Sequence, residues 1–286
     1  MDFKQALTLE SPLTIVGVPT AYSVLLAEQA GFKALYLSGA GVSNVAFGLP
    51  DLGLTTFTEL AVELAKITQL TALPVLVDLD NGFGGPLQVA RATKVLVQAG
   101  AAALQLEDQT QNKRCGHRDG KTCISTALMC DKIKALKDAA PNVYLVARTD
   151  AHGLEAPAAV QERVQAYVAA GADAIFVEAL QTLAQVKEWT GSLKVPLLVN
   201  LTEFGKTPLW SHAEMTQAGV GLLLYPLGAM RMMHAAAHTF YATLRQEKTQ
   251  ASLLSKMQTR EQLYTVLDYE AWESRQNQIR ENAEDE

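Results

Sequence analysis

The sequence predicts an α/β fold, a closed (β/α)8 TIM-type barrel with a C-terminal helical extension. Eight short apolar runs alternate with amphipathic stretches almost from end to end, the pattern of βαβ units on a parallel sheet. An Ala-Gly pair recurs at Ala30-Gly31, Ala99-Gly100, Ala170-Gly171 and Ala218-Gly219, each just ahead of an apolar run. Glycine past a helix end suits the left-handed position that a Cβ makes costly, so one helix–loop–strand joint appears four times. The 286 residues hold a barrel of roughly 250 residues with chain to spare. An open doubly wound sheet is the alternative, but the first βα turn lacks GxGxxG and GxxxxGK(S/T) is absent.

In order, the candidate strands are 13–19, 34–39, 75–80, 103–108, 143–149, 174–179, 196–202 and 221–226. Helical patterns fall between them at 23–30, 57–70, 86–99, 127–138 and 158–170. After the last strand, 228–246 reads as a long helix, 247–258 as a polar segment, and 260–279 as an amphipathic helical stretch. Leu263, Tyr264, Val266, Leu267 and Trp272 give that stretch an apolar face, which must dock on its own barrel or on a neighbouring subunit. Residues 281–286 read as a solvated, frayed end. With no low-complexity linker, 1–246 is read as the catalytic barrel and 247–286 as an extension of the same domain.

Twenty-four basic against thirty acidic residues leave a net charge of −6, which argues against nucleic acid or an anionic membrane as partner. No apolar run approaches the ~20 residues that span a bilayer, and no signal peptide is evident, so the expected location is cytoplasmic. Three cysteines in one short stretch do not make a secreted disulfide framework.

The strand C-termini and the loops after them are where such a barrel does chemistry. Ser38, Gly39 and Ala40 end the second strand, with Asp51 in the loop after it; Asp78 and Asp80 end the third, Glu107 the fourth. Arg148 ends the fifth strand, Glu178 the sixth, Asn200, Leu201 and Thr202 the seventh, and Arg231 follows the eighth. Asp78 and Asp80, two apart, point to one side if both lie in the strand. Converging carboxylates repel, and with Asp51 and Glu107 they form an oxygen-rich shell suited to Mg²⁺. Helix caps and ion pairs are the competing use of these acids. Zinc is disfavoured, because Cys115 and His117 lack a well-spaced third ligand. Cys123 and Cys130 read as core or partly buried thiols. Cys115 differs: Lys113, Arg114 and His117 flank it in a loop, and nearby cations make a thiol a usable proton donor. Arg148 and Arg231, with the backbone N–H groups at 38–40, can hold carboxylates. The pocket so described takes a small, multiply anionic substrate. His152 reads as near the top face, His212, His234 and His238 as packing or surface residues.

The ordered motifs YLSGAG, GLPDLG, VDLDNGFG, LEDQ with KRCGH, ARTDA and NLTEFGKTP resemble the isocitrate lyase/phosphoenolpyruvate mutase superfamily. The likeness runs over about 13–269, includes LYPLGAMR and MQTREQLY, and is strongest to the branch acting on 2-methylisocitrate in the methylcitrate cycle of propionate degradation. The resemblance implies a Mg²⁺-dependent cleavage of 2-methylisocitrate to pyruvate and succinate. It implies Asp78 and Asp80 as the magnesium site, with Asp51 and Glu107 in its water-mediated shell, and Cys115 as general acid. Substrate contacts implied are Ser38, Gly39, Ala40, Cys115, Gly116, Arg148, Glu178, Asn200, Leu201, Thr202, Arg231 and Arg260. Tyr36, or a water held by the carboxylates, is left as the base. A homo-oligomer, a helix-swapped dimer of dimers, is implied as well. An isocitrate lyase is disfavoured by NLTEFGKTP in place of NxSPSFNW, and oxaloacetate decarboxylases and phosphonomutases by the thiol at Cys115. A non-catalytic barrel acting as an interaction subunit is the alternative from another class.

Overall fold

The computed structural model describes residues 1–284, in two compact units that divide at Met230/Arg231. In the first unit β1 (Leu13–Gly17), β2 (Ala34–Leu37), β3 (Val75–Asp78), β4 (Ala103–Glu107), β5 (Tyr144–Thr149), β6 (Ala174–Val177), β7 (Leu197–Asn200) and β8 (Leu222–Tyr225) close into one barrel. Every neighbouring pair is parallel, β8 closes on β1, and Glu107 stands beside Arg148 across β4 and β5. The expected fold class is therefore the one found.

Strand alternation splits the apolar residues into two cores. Leu13, Ile15, Ala34, Leu76, Ala103, Val146, Phe176, Leu198 and Leu222 fill the barrel interior. Leu35, Leu37, Val75, Val77, Leu104, Leu145, Ile175 and Val199 face the helix layer instead. The helix α1 (Phe3–Leu9), which periodicity had not marked, plugs the barrel floor with Phe3, whose ring lies 4.9 Å from that of Tyr144.

Several helices start where a side-chain cap satisfies their first N–H groups. Thr20 caps α2 (Ala21–Gln29), Thr56 with Glu59 caps α4 (Phe57–Thr68), and Ser125 caps α6 (Thr126–Ala139). Each such cap is worth about 1 kcal/mol. Pro86 and Pro157 open α5 (Pro86–Gln98) and α7 (Pro157–Ala170), where a missing N–H costs nothing. The Ala-Gly joints behave as expected: Gly31, Gly100, Gly171 and Gly219 have φ of 88°, 103°, 119° and 75°. Further helices are α3 (Gly39–Phe47), α8 (Leu183–Ser192) and α9 (His212–Gln217).

Two local expectations change. The stretch at 38–40 is no strand end: β2 stops at Leu37, and Ser38 caps α3 by accepting from Gly41 N. β3 likewise stops at Asp78, and Asp80 lies beyond it at φ 49°. Strand alternation therefore does not bring these two acids together; a left-handed turn does.

The second unit is helical. After α10 (Gly228–Glu247), a 3-10 turn (Ala251–Lys256) leads to α11 (Arg260–Leu267) and α12 (Tyr269–Glu284). The stretch read as one helix is two, because Asp268 ends α11 in the left-handed region. Helix continues to Glu284, so of the end expected to fray only 285–286 lie outside the described residues.

Candidate active site

The interior positions nearest the strand C-termini are polar where those below are apolar. Counting by twos from Ala103 leads through Gln105 to Glu107, from Tyr144 through Val146 to Arg148, and from Ala174 through Phe176 to Glu178. Tyr36 follows Ala34, Asp78 follows Leu76, and Asn200 follows Leu198 in the same way. These six side chains line one cavity with Ser38, Ala40, Asp51, Lys113, Cys115, Gly116, His117 and Thr202. Its wall is completed by Phe176, Leu224, Pro226 and Leu227.

On one side the acids gather. Asp78 accepts from Gly39 N at 3.2 Å, Asp80 N at 3.3 Å and Gln105 Nε2 at 3.3 Å. Asp80 is 4% exposed, and a Cβ at Gly39 would lie 3.1 Å from its Oδ1, so glycine gives the acid room that a side chain would crowd. Burial, reinforced by Asp78 and Asp51, pushes the Asp80 carboxyl up to about 7 although Lys113 pulls the other way. Burial raises Glu107 well above the usual carboxylate range, against Arg148 and Lys113. Lys113, 6% exposed, puts its ammonium between Asp51 Oδ1, at 2.8 Å, and Asp80 Oδ1. Burial disfavours its charge, but the surrounding acids outweigh that and hold it protonated.

Among the described residues no three His, Cys, Asp or Glu side chains form a ready metal-ligating group; the lysine stands in the cation's place. The charge balance nonetheless fits a divalent ion. Four carboxylates face one ammonium and a shared arginine, and Glu107 Oε1 is buried without a hydrogen-bond partner among the described residues. An all-oxygen donor set is the kind that holds Mg²⁺.

Beside Glu107, whose Oε2 lies 3.4 Å from its Nε, stands Arg148. Asp150 holds its guanidinium by Nε–Oδ2 at 2.8 Å and Nη2–Oδ1 at 3.1 Å, Glu178 Oε2 approaches to 3.0 Å, and its Cζ sits 5.0 Å over the Phe176 ring. Burial works against the charge, and the three acids around it more than restore it. Tyr36 is buried, and desolvation with Asp78 beside it holds the phenol protonated well above its usual range. It therefore faces Asp78 as a neutral phenol.

The loop between β4 and α6 covers this cavity. Gly116 is wedged against the site: an added Cβ would meet Arg148 Nη2 at 2.3 Å and Glu178 Oε2 at 2.5 Å. His117 Nδ1 accepts from Lys206 N at 3.0 Å, and its Nε2 lies 3.3 Å from Glu178 Oε1. Lys206 Nζ also reaches Asp119 at 2.7 Å. Cys115 lines the cavity yet stays exposed, whereas Cys123 and Cys130 are half-buried. Burial pushes both of those thiols up, Cys123 more strongly beside Asp108 and Asp150. Only about 70 Å³ remains free under the loop, far below the ~300 Å³ at which ordinary ligand pockets begin, so the loop lies over the mouth as a lid.

Of the residues singled out from the sequence, the mouth brings together Tyr36, Ser38, Ala40, Asp51, Asp78, Glu107, Cys115, Gly116, Arg148, Glu178, Asn200 and Thr202, with Gly39 and Asp80 against them. Leu201 is not among them: one residue past the inward Asn200, its side chain is buried in the helix-layer core. Arg231 and Arg260 belong to the second unit, on α10 and at the start of α11, both exposed. His152 lines an outer cavity beside the lid, and His212, His234 and His238 are exposed on helices. The partners of the arginine and the lid, Asp150, Lys121 and Lys206, carried no role in the sequence. Only the spacing of Asp150, two after Arg148, hinted at one.

Comparison with known proteins converges on one group. The family model described as phosphoenolpyruvate phosphomutase matches residues 3–245. The chain is 47% identical over 281 residues to the 2-methylisocitrate lyase of Shewanella oneidensis, covering 98% of this chain and 96% of that protein. It is 46% identical over 276 residues to the 2-methylisocitrate lyase of Escherichia coli, covering 96% and 93%. Among solved structures it is similar to a 2,3-dimethylmalate lyase of the PEP mutase/isocitrate lyase superfamily, with a TM-score of 0.88 and 32% identity over 96% and 93% of the two chains.

Proposed function

The chain belongs to the phosphoenolpyruvate phosphomutase family, and from that premise we propose that it is a carbon–carbon lyase splitting 2-methylisocitrate into pyruvate and succinate. The observation that carries this reading is the exposed Cys115 thiol on the rim of a mouth lined by carboxylates and by Arg148. A tricarboxylate is held there by Arg148, by Asn200 and Thr202, and by the N–H groups at the start of α3. Asn200 Oδ1, buried without a partner among the described residues, is free to accept from the substrate.

The reaction is a retro-aldol cleavage. The substrate hydroxyl loses its proton, its oxygen becomes the carbonyl of pyruvate, and the adjacent C–C bond breaks. The electron pair goes to the carbon that becomes part of succinate, stabilised by its carboxylate. Cys115 delivers the proton to that carbon as general acid, and the basic lid offsets the thiolate left behind. Tyr36, held protonated, orients Asp78; the base is a water held by the carboxylates. The loop over the mouth limits the water that reaches the carbanion. Asp78 and Asp80, with Asp51 and Glu107 around them, would hold Mg²⁺, which when bound stabilises charge on the hydroxyl and carboxylate oxygens of the pyruvate half.

Arg231 and Arg260 complete the substrate contacts in this reading, within a homo-oligomer, a dimer of dimers built through the second unit. Met232, Tyr241 and Trp272 of that unit are 73%, 69% and 71% exposed, apolar surface that a further copy would cover. The place of action is cytoplasmic, in the methylcitrate cycle, with no nucleic-acid or membrane partner; no helix among the described residues is long and apolar enough to cross a membrane. Pyruvate release from 2-methylisocitrate, isocitrate and oxaloacetate, with and without Mg²⁺, tests the assignment. Release from 2-methylisocitrate far above the other two is expected; preference for oxaloacetate or isocitrate would move the chain to another activity of the family, and none at all would leave an interaction subunit.

A further inference from the structure

Lys121 lies at the returning end of the lid, outside the residues assigned to substrate or metal. Its side chain is 7% exposed, and its ammonium has two acceptors: the Gly116 carbonyl, and Asp150 Oδ1 at 2.9 Å. Gly116 is the neighbour of the thiol residue and presses on Arg148 and Glu178. Asp150, with its side chain fully buried, is also the carboxylate that grips the Arg148 guanidinium. One carboxylate thus joins the arginine of the mouth to the lid.

That carboxylate is itself anchored. Asp150 N donates to Asp108 Oδ1 at 2.9 Å, and Asp108, wholly buried, also accepts from Thr149 Oγ1 at 2.7 Å and Tyr167 OH at 2.8 Å. The backbone of Asp108 donates to Arg148 O at 3.2 Å and accepts from Ile124 N at 2.8 Å, on the chain leaving the lid. A charged-group bond to a buried, over-determined carboxylate is a strong contact, and its position is set by the barrel wall.

We infer that Lys121 is a positioning residue for the proposed cleavage, a latch that fixes the peptide beside Cys115 through the Gly116 carbonyl and ties it to Arg148 through Asp150. The inference rests on the lyase reading only for what the thiol does. The latch itself is a statement about lid geometry. Lys113, at the other end of the lid, bonds the acids and so answers to the metal; Lys121 answers to the arginine that holds substrate carboxylate.

The test compares the full-length protein with Lys121→Met and Lys121→Arg. Limited trypsin digestion, read at the exposed Arg114 and Arg118, reports lid opening without needing turnover. For Lys121→Met we expect at least tenfold faster cleavage there, an unchanged melting temperature, a 10- to 100-fold lower kcat, and pyruvate binding in the presence of Mg²⁺ within threefold of wild type. Lys121→Arg should recover most of both losses, since its guanidinium also reaches two acceptors. Unchanged lid cleavage in Lys121→Met overturns the latch. So does a fall in pyruvate affinity matching the fall in kcat, which would make Lys121 a binding residue. A wild-type protein that releases no pyruvate, while Lys121→Met still opens the lid, overturns the lyase assignment and upholds the latch.

Discussion

Cys115 owes its proposed role to contrast with the other thiols. Cys123 and Cys130 are half-buried, with the proton held more tightly than in a free thiol, whereas Cys115 is exposed over the mouth. Substituting serine keeps the shape and replaces the thiol with a hydroxyl, a far weaker acid. For Cys115→Ser we therefore expect kcat to fall by several orders of magnitude while substrate affinity changes little, because Arg148 and the metal still hold the carboxylates. Unchanged kcat in single-turnover and steady-state assays would remove the acid role. The type of each residue and its place after an apolar run were legible from the chain, which is why Cys115, Arg148 and Asp78 could be named. Which neighbour each would meet was not. Lys113 read as one of the cations around the thiol, yet its ammonium lies among Asp51 and Asp80.

At the scale of elements, the lid is held down by hydrogen bonds to three different loops. One of these anchors is the His117 imidazole. Burial, with Arg148 and Lys121 nearby, lowers it below the ordinary histidine value of 6.5, against the opposing pull of Glu178 and Asp150. The closed lid needs a neutral ring, since Nδ1 accepts from Lys206 N. A histidine of depressed pKa in the closed state takes up more protons when the lid opens. Closure is therefore fully favoured above about pH 6.5 and is lost as pH falls through the lowered value. Amide exchange over 113–121, corrected for its intrinsic pH dependence, should show faster opening below that pH. His117→Asn should flatten the profile; a wild-type lid indifferent to pH between 5 and 8 would contradict this account. The loop's length, polarity and two glycines are visible along the chain, but its anchors come from loops far apart in sequence and carry no local signal.

For the whole molecule, stability and metal should separate. The two apolar cores close without the candidate metal site, so chelation should abolish turnover and leave the melting temperature and circular dichroism near those of the loaded protein. Unfolding on chelation would make the ion structural, and full activity in excess chelator would remove it from the reaction. Truncation before Ser252 removes α11 and α12, with Arg260 and the exposed Trp272. It should lower both assembly and activity; a fully active monomer in sedimentation would refute the proposed role of the second unit.

Periodicity and punctuation determined the barrel, because strand alternation, helix spacing and left-handed glycines are local properties that a chain displays before it folds. They also placed most of the mouth, since the top inward position of a barrel strand can be counted along it: Glu107, Arg148, Glu178 and Asn200 follow from the apolar residues beneath them. What only the tertiary structure decided is where local rules end. Asp80 reaches the acids through a left-handed turn past the end of β3, Ser38 starts a helix where a strand end was expected, and Leu201 packs outward. Asp150 joins Arg148 to Lys121 across 29 residues of sequence, and Asp108 reaches Tyr167 across 59. Those bonds form because closing the barrel buries the charges together, and a buried charge must find a partner wherever the fold has put one.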